Sequence, residues 1–246
     1  MNLQEQCDQI TEIEKKIAAA YSTNLIKTPI HLCLGEEAVC VAVCSHLTRE
    51  DLLFAYYRSH GWYIAKGGNI EKLWDELYGK ETGCSGGVGG SMHFIDLDVG
   101  FHGTTAIVGA QLPHAVGAAL AMKLQGKDHI VVCAFGDGAS EQGVFMESLM
   151  FAVVHHLRVL FVCVNDGLAT NIPIAVRQPY IAGPAERAQS MGILSMIMDA
   201  QKNNPNILDE IGDVIQSIRN YSRPYFIEFQ VKRTCDHVGP NYVDHL

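Results

Sequence analysis

Asp137 and Asp166 are the two residues whose type and placement first suggest chemistry. Each closes an apolar run: residues 129–135 (HIVVCAF) end at Gly136-Asp137-Gly138, and residues 159–164 (VLFVCV) end at Asn165-Asp166-Gly167. Between the runs, Phe145, Leu149, Ala152 and Val153 recur at three- and four-residue spacing, which predicts an amphipathic helix. A strand, helix, strand crossover in a parallel sheet is right-handed and brings both strand ends, hence both carboxylates, to one sheet edge. Two hard oxygen ligands beside a helix N-terminus, with glycines that let the backbone approach closely, suit a magnesium ion carrying a phosphate ester.

The elements that must position those carboxylates follow from periodicity. Residues 3–26 carry Ile10, Ile13, Ile17 and Leu25 on one helical stripe, and residues 31–47 open a second helix rich in small residues. Residues 51–57 predict a strand delivering Tyr57-Arg58-Ser59-His60-Gly61. Residues 62–66 and 69–78 predict helices, the second with an Asn69 cap and Glu71 in its first turn. The run GCSGGVGG at 83–90 is too glycine-rich for regular structure and is expected to be a loop near the site rather than a linker. Residues 112–125 predict an Ala-rich helix, 185–200 a partly helical stretch, 207–220 a helix and 224–232 a strand. A polar tail, 233–246, carries Arg233, Asp236 and His237. The expected fold is α/β, a three-layer parallel sheet flanked by helices, with 1–246 as one unit.

Composition narrows the function classes. With 246 residues, 48% apolar and 18% charged, the chain has the profile of a globular domain with a substantial core. A net charge of −9 argues against nucleic-acid binding, which needs a basic surface, and no segment has membrane-spanning character. Eight cysteines are scattered without a CxxC pair, so neither zinc nor a redox motif is supported. The acidic, amphipathic start MNLQEQCDQITEIEKKI has no signal or transit character, and a reducing cytoplasm is expected.

Five segments in order, HLCLGEEAV, YYRSHG, LYGKETGCSGGVGGSMH, GTTAIVGAQLPHAVGAALA and GDGASEQGVFMESLMFA, resemble the alpha subunit of the thiamine diphosphate-dependent 2-oxo acid dehydrogenases of pyruvate, acetoin or branched-chain type. The resemblance implies that Asp137, Asp166 and the Leu168 backbone carbonyl hold Mg²⁺. Gly136, Gly138 and Ala139 would lie at the diphosphate, and Tyr57 and Arg58 would contact it. Ile107 and Val108 match the turn under the aminopyrimidine, with Ala106 in place of the usual glycine. Asp166 stands where the family usually has asparagine. The added negative charge suggests that Asp166→Asn would preserve or improve cofactor binding. His31 and His237 match substrate-pocket and active-site-loop histidines, and would serve the developing alkoxide. Leu34 and Phe101 are further pocket residues.

His60 and His93 also fall inside motifs, whereas His155 and His156 read as structural residues of a helix. Glu141 and Glu147 read as helix-start and surface residues. No glutamate here matches the one that activates the aminopyrimidine, so the resemblance implies a beta-type partner, an alpha2beta2 assembly, and transfer of an acyl group from a small 2-oxo acid to a lipoyl acyltransferase or another acceptor. Two other readings are a split, transketolase-like carboligase subunit and a non-catalytic homologue; the second is suggested by Asp166, Ala106 and the end at Leu246.

Overall fold

A computed structural model describes residues 2–178, 182–200 and 206–241. Its strands are β1 (Leu52–Tyr56), β2 (Phe101–Thr105), β3 (Val131–Gly136), β4 (Val159–Asn165), β5 (Leu168–Ala169), β6 (Ile172–Pro173), β7 (Leu194–Asp199) and β8 (Tyr225–Gln230). Its helices are α1 (Leu3–Ser22), α2 (Glu37–Cys44), α3 (His60–Ala65), α4 (Ile70–Leu77), α5 (Gln111–Leu124), α6 (Gly143–Val154), α7 (Pro184–Ser190) and α8 (Ile207–Tyr221). Six strands form one sheet in the order β2-β1-β3-β4-β8-β7, parallel throughout, and β5 and β6 form a separate antiparallel hairpin.

The central strands are apolar on both faces because both are covered. Val131, Cys133 and Phe135 point into one layer with Phe161 and Cys163, packed under α5, α6 and α7. Val132 and Ala134, one residue out of phase, point into the other with Leu160 and Val162, under α1, α2 and α8. That period-two division produces the three layers.

Several boundaries differ from the periodicity reading. The first helix stops at Ser22, and Leu25 is exposed rather than on the buried stripe. Residues 31–36 are not helical, and α2 begins only at Glu37. The stretch 185–200 divides: Pro184 starts α7, left-handed Gly192 follows its end, and Leu194–Asp199 pairs with β8 as an edge strand. A six-residue apolar run does not distinguish helix from strand by periodicity, and partner strand β8 decides it. β2 was not foreseen either; its FHGTT sequence lacks a strand pattern, and it forms by pairing with β1. The tail beyond 241 lies outside the described residues.

Buried glutamates organise the segments that have no regular structure. Glu76 on α4 is fully buried and accepts backbone N–H bonds from Ser85 (2.8 Å), Gly87 (2.8 Å), Gly89 (2.7 Å) and Gly90 (2.9 Å). The glycine-rich segment is therefore an ordered loop wrapped around one carboxylate. Glu14 on α1 lies 3.1 Å from His60 Nδ1, and His60 Nε2 lies 2.8 Å from Ser91 Oγ at the end of that loop. All three side chains are buried, which places His60 in the scaffold. Among the described residues no helix is long and apolar enough to cross a membrane.

Removing the Glu76 carboxylate leaves four amide donors without an acceptor. Glu76→Ala is expected to lower unfolding free energy by at least ~3 kcal/mol, from lost charge-assisted bonds. Urea unfolding measures this, and amide exchange should accelerate selectively over residues 85–90. Unchanged protection there would show that the glycine loop holds itself.

Candidate active site

The C-terminal ends of β1, β2, β3 and β4 open into one cavity of about 400 Å³. Tyr57 and Arg58 follow β1, Ala106, Ile107 and Val108 follow β2, and Asp137, Gly138 and Ala139 follow Gly136 at the end of β3. Asp166 and Leu168 follow β4, while His31 and His237 enter from the segments before α2 and after β8. All of these line the cavity. Leu34 and Phe101, expected in the pocket, are instead buried in the core, and His93 is exposed on the outer loop. Ala106 does not have a left-handed backbone, so its methyl group carries no conformational penalty where glycine was expected.

Each carboxylate in the cavity is matched by an arginine. Asp137 is buried, and Arg177 Nη2 donates to its Oδ2 at 2.6 Å. Arg177 also bonds Glu141, and its Nε donates to the Ile172 carbonyl at 2.9 Å. The β5–β6 hairpin brings this arginine back over the site. Glu141, just before α6 as its helix-start reading expected, also lines the cavity. Gln178 donates to Glu141 (2.8 Å), and Arg187 donates to the Ser140 carbonyl (2.8 Å) and hydroxyl (2.7 Å). Burial pushes the Asp137 carboxyl up, and neighbouring Asp166 adds to that, against Arg177.

The Asp166 Oδ1 accepts the Leu168 amide at 3.0 Å, and its Oδ2 lies 3.1 Å from Arg233 Nε. That N–H is not aligned on the oxygen, so the contact is an ion pair rather than a hydrogen bond. Arg233 is almost wholly buried; its Nη2 donates to the Thr170 carbonyl (3.2 Å), and Nη1 lies 3.3 Å from His237 Nδ1. The negative charge that aspartate adds at position 166 is compensated within the chain.

Arg58 behaves differently from the expectation of a free phosphate fork. Its Nη1 donates to the Leu32 carbonyl (2.6 Å), Nε pairs with Glu36 (3.2 Å) and Nη2 reaches the His237 carbonyl (3.4 Å). Glu36 also accepts from the Tyr56 hydroxyl. Burial pushes the Glu36 carboxyl up to about 7, against Arg58 and Tyr56, which favour its ionised form. Left-handed Gly35 fixes the turn that places Glu36: a side chain there would meet the Lys232 carbonyl, with a Cβ at 2.1 Å.

His31, Tyr57 and His237 form a ring cluster, with centroids 4.4 Å apart for His31–Tyr57 and 5.3 Å for His31–His237. Burial, then the Arg58 charge, pushes His31 down to about 3; burial, then Arg58 and Arg233, pushes His237 down to about 4. Both imidazoles are neutral near pH 7. The buried His31 Nδ1 and Gln111 Oε1 have no partner among the described residues.

A profile of the dehydrogenase E1 component family matches residues 5–238. The alpha subunit of acetoin:2,6-dichlorophenolindophenol oxidoreductase from Bacillus subtilis is 35% identical over 229 residues, covering 93% of this chain and 68% of that one. The chain belongs to the dehydrogenase E1 component family. The mitochondrial pyruvate dehydrogenase E1 component alpha subunit of Solanum tuberosum is also 35% identical, over 81% of this chain and 56% of its own length. Transketolase from Campylobacter jejuni superposes with a TM-score of 0.70 over 94% of this chain and 38% of its own, at 16% identity, a likeness of fold.

The donor set fits the cofactor of the E1 family, thiamine diphosphate. Two carboxylates and a backbone carbonyl are hard oxygen donors, three arginines surround a site for an anionic group, and unpartnered His31 Nδ1 and Gln111 Oε1 give a ligand polar atoms to meet. The sequence reading missed Glu36, Gln111 and Glu141 as cavity residues and Arg177 as the partner of Asp137, and named Arg233 only as part of a polar tail. For Arg233 a signal existed: an aspartate in place of asparagine needs a compensating cation when buried.

The Asp166–Arg233 pair gives Asp166→Asn a stability cost that the expectation about cofactor binding did not consider. That substitution alone leaves a buried guanidinium without its counter-charge and is expected to cost ~3 kcal/mol or more of stability. Asp166→Asn/Arg233→Met should recover most of the loss; a double-mutant cycle by urea unfolding reads the coupling, and additive effects would refute it.

The histidines predict a pH dependence of fixed sign. With folded values of about 3 for His31 and about 4 for His237 against an ordinary 6.5, the unfolded chain binds more protons between those limits. Their stabilisation is complete above about 6.5 and is lost as pH falls toward 3. Glu36, raised to about 7, acts oppositely between its ordinary value and neutrality. The double variant His31→Asn/His237→Asn should therefore lose less unfolding free energy than the parent between pH 7 and 4, measured by denaturant midpoints. An equal or steeper fall would show that the imidazoles are not held neutral.

Proposed function

We propose that this chain is the alpha subunit of a thiamine diphosphate-dependent 2-oxo acid dehydrogenase, holding the diphosphate and Mg²⁺ half of an active site completed by a beta-type partner. The observation that carries the reading is the convergence of Asp137, Asp166 and Leu168, at the ends of adjacent strands, with the His31–His237 pair in one cavity. Asp137, Asp166 and the Leu168 carbonyl would hold the metal, with Gly136, Gly138 and Ala139 at the diphosphate. Bound thiamine diphosphate supplies the carbanion and the electron sink that decarboxylation of a 2-oxo acid requires.

The chain's own residues bind, orient and donate. Tyr57 and Arg58 wall the phosphate side, and Ala106, Ile107 and Val108 form the ledger of backbone and methyl groups beneath the aminopyrimidine. His31 and His237, being neutral, act as hydrogen-bond donors to the substrate oxygen as charge develops on it, rather than as imidazolium acids. Arg177 holds Asp137 in the protein alone, so metal binding requires this guanidinium to yield an oxygen.

The α5–α6 face supports the beta-type partner. An apolar groove of about 280 Å³, lined by Val116, Leu120, Val144 and Phe151, lies near exposed Met150 and Val154. An alpha2beta2 assembly would cover such faces, and a lipoyl acyltransferase would take the acyl group. Eight free cysteines suit a reducing cytoplasm.

The reading is tested by calorimetry with thiamine diphosphate and Mg²⁺ on the chain reconstituted with its beta-type partner, together with 2-oxo acid decarboxylation by the pair. Asp137→Ala should abolish cofactor binding and turnover while leaving the assembly intact. Cofactor affinity unchanged by this substitution, or absence of decarboxylation across pyruvate and branched 2-oxo acids, would refute it.

A further inference from the structure

A second cavity, of about 180 Å³, opens at the opposite edge of the sheet, where β3 and β4 begin. His129 precedes β3 and Arg158 precedes β4, whereas Asp137 and Asp166 follow the same strands. A strand length, about 20 Å, separates the two sites. The cavity is lined by Lys123, Lys127, His129, His156 and Arg158, and no described carboxylate lines it, in a chain of net charge −9.

These groups are not consumed by the scaffold. Lys123 alone among them takes a backbone carbonyl at the end of α6, donating to His155 at 2.6 Å. Among the described residues Arg158 Nε is buried without a partner, while Arg58, Arg177, Arg187 and Arg219 each donate to an internal acceptor. A buried, charged N–H lacking an acceptor is costly, and a bound anion removes that cost. His156 does not lie within α6, contrary to its reading as a structural helix residue; it follows the helix with φ +48°. Ser222, also lining the cavity, has φ +49°. Two of the four left-handed non-glycine residues described thus shape this one rim. Such conformations persist where the surroundings enforce them.

We propose that this cavity is a binding site for a phosphate-class oxyanion, separate from the cofactor cavity, in which Arg158 and Lys127 supply the principal charge-assisted bonds. A guanidinium and an ammonium, flanked by two imidazoles, match the several acceptor oxygens of a phosphoryl group. The volume admits the head group of a phosphomonoester as well as inorganic phosphate.

Isothermal titration of the full chain with inorganic phosphate, and separately with glycerol 3-phosphate, tests this. Saturable one-to-one binding is expected, weakened about tenfold or more by Lys127→Gln/Arg158→Gln and unchanged by Arg177→Gln in the cofactor cavity. Tighter binding of glycerol 3-phosphate would identify a phosphorylated metabolite as the ligand, and preference for phosphate the free ion; both support the site. Lys127→Gln, at an exposed position, carries the test alone if Arg158→Gln does not fold. Binding unaffected by these substitutions, lost only in Arg177→Gln, or absent would overturn the proposal.

Discussion

Carboxylates removed from water need a cation or several N–H donors beside them, and this fold gathers Glu36, Asp137, Glu141 and Asp166 around one cavity at the ends of its strands. The cations come from distant segments. Arg58 leaves the end of β1, Arg177 returns from the β5–β6 hairpin, and Arg233 descends from the exit of β8. The Asp137–Arg177 and Asp166–Arg233 pairs each join segments far apart in sequence, the second of them just beyond the paired ends of β4 and β8. The site is assembled by charge pairing as much as by the sheet beneath it.

The same pairing constrains what a ligand must do on entry. A divalent cation at Asp137 would have to compete with Arg177 for one oxygen, and the released guanidinium would then be free to meet an anionic group. Arg58 has less freedom, since Glu36 and two carbonyls occupy its donors. Its positive charge also helps keep the His31 and His237 imidazoles neutral. One buried arginine thereby links Glu36 to the histidine side of the cavity.

The parallel sheet and its two coated faces were legible because β3 and β4 are long apolar runs ending in glycine and aspartate, separated by a helix of clear period. The cavity residues were legible through the motif resemblance, and the structure gathers them. The edge strands were not legible. β2 and β7 have weak strand patterns and exist because β1 and β8 offer hydrogen-bonding edges. Glu76 was equally silent: on α4 it reads as a helical surface residue, and only the fold brings four loop amides onto its carboxylate. The Arg177 and Arg233 pairings depend on the paths of a hairpin and a tail, which spacing along the chain does not encode.

A parallel sheet has a polarity that sorts charge. Helix N-termini collect at the edge where strands end: α3 starts just after Arg58, α5 after Val108, and α6 after Glu141. Their dipoles favour anions at that edge. Helix C-termini collect at the other edge, where their carbonyls favour cations, and Lys123 answers one of them. Had dipole compensation been the whole reason for the basic cluster, its remaining members would also meet terminal carbonyls. Arg158 instead lines a cavity, with a buried Nε that has no acceptor among the described residues, so the polarity of the fold accounts for where the cations lie but not for why this one lacks a partner there.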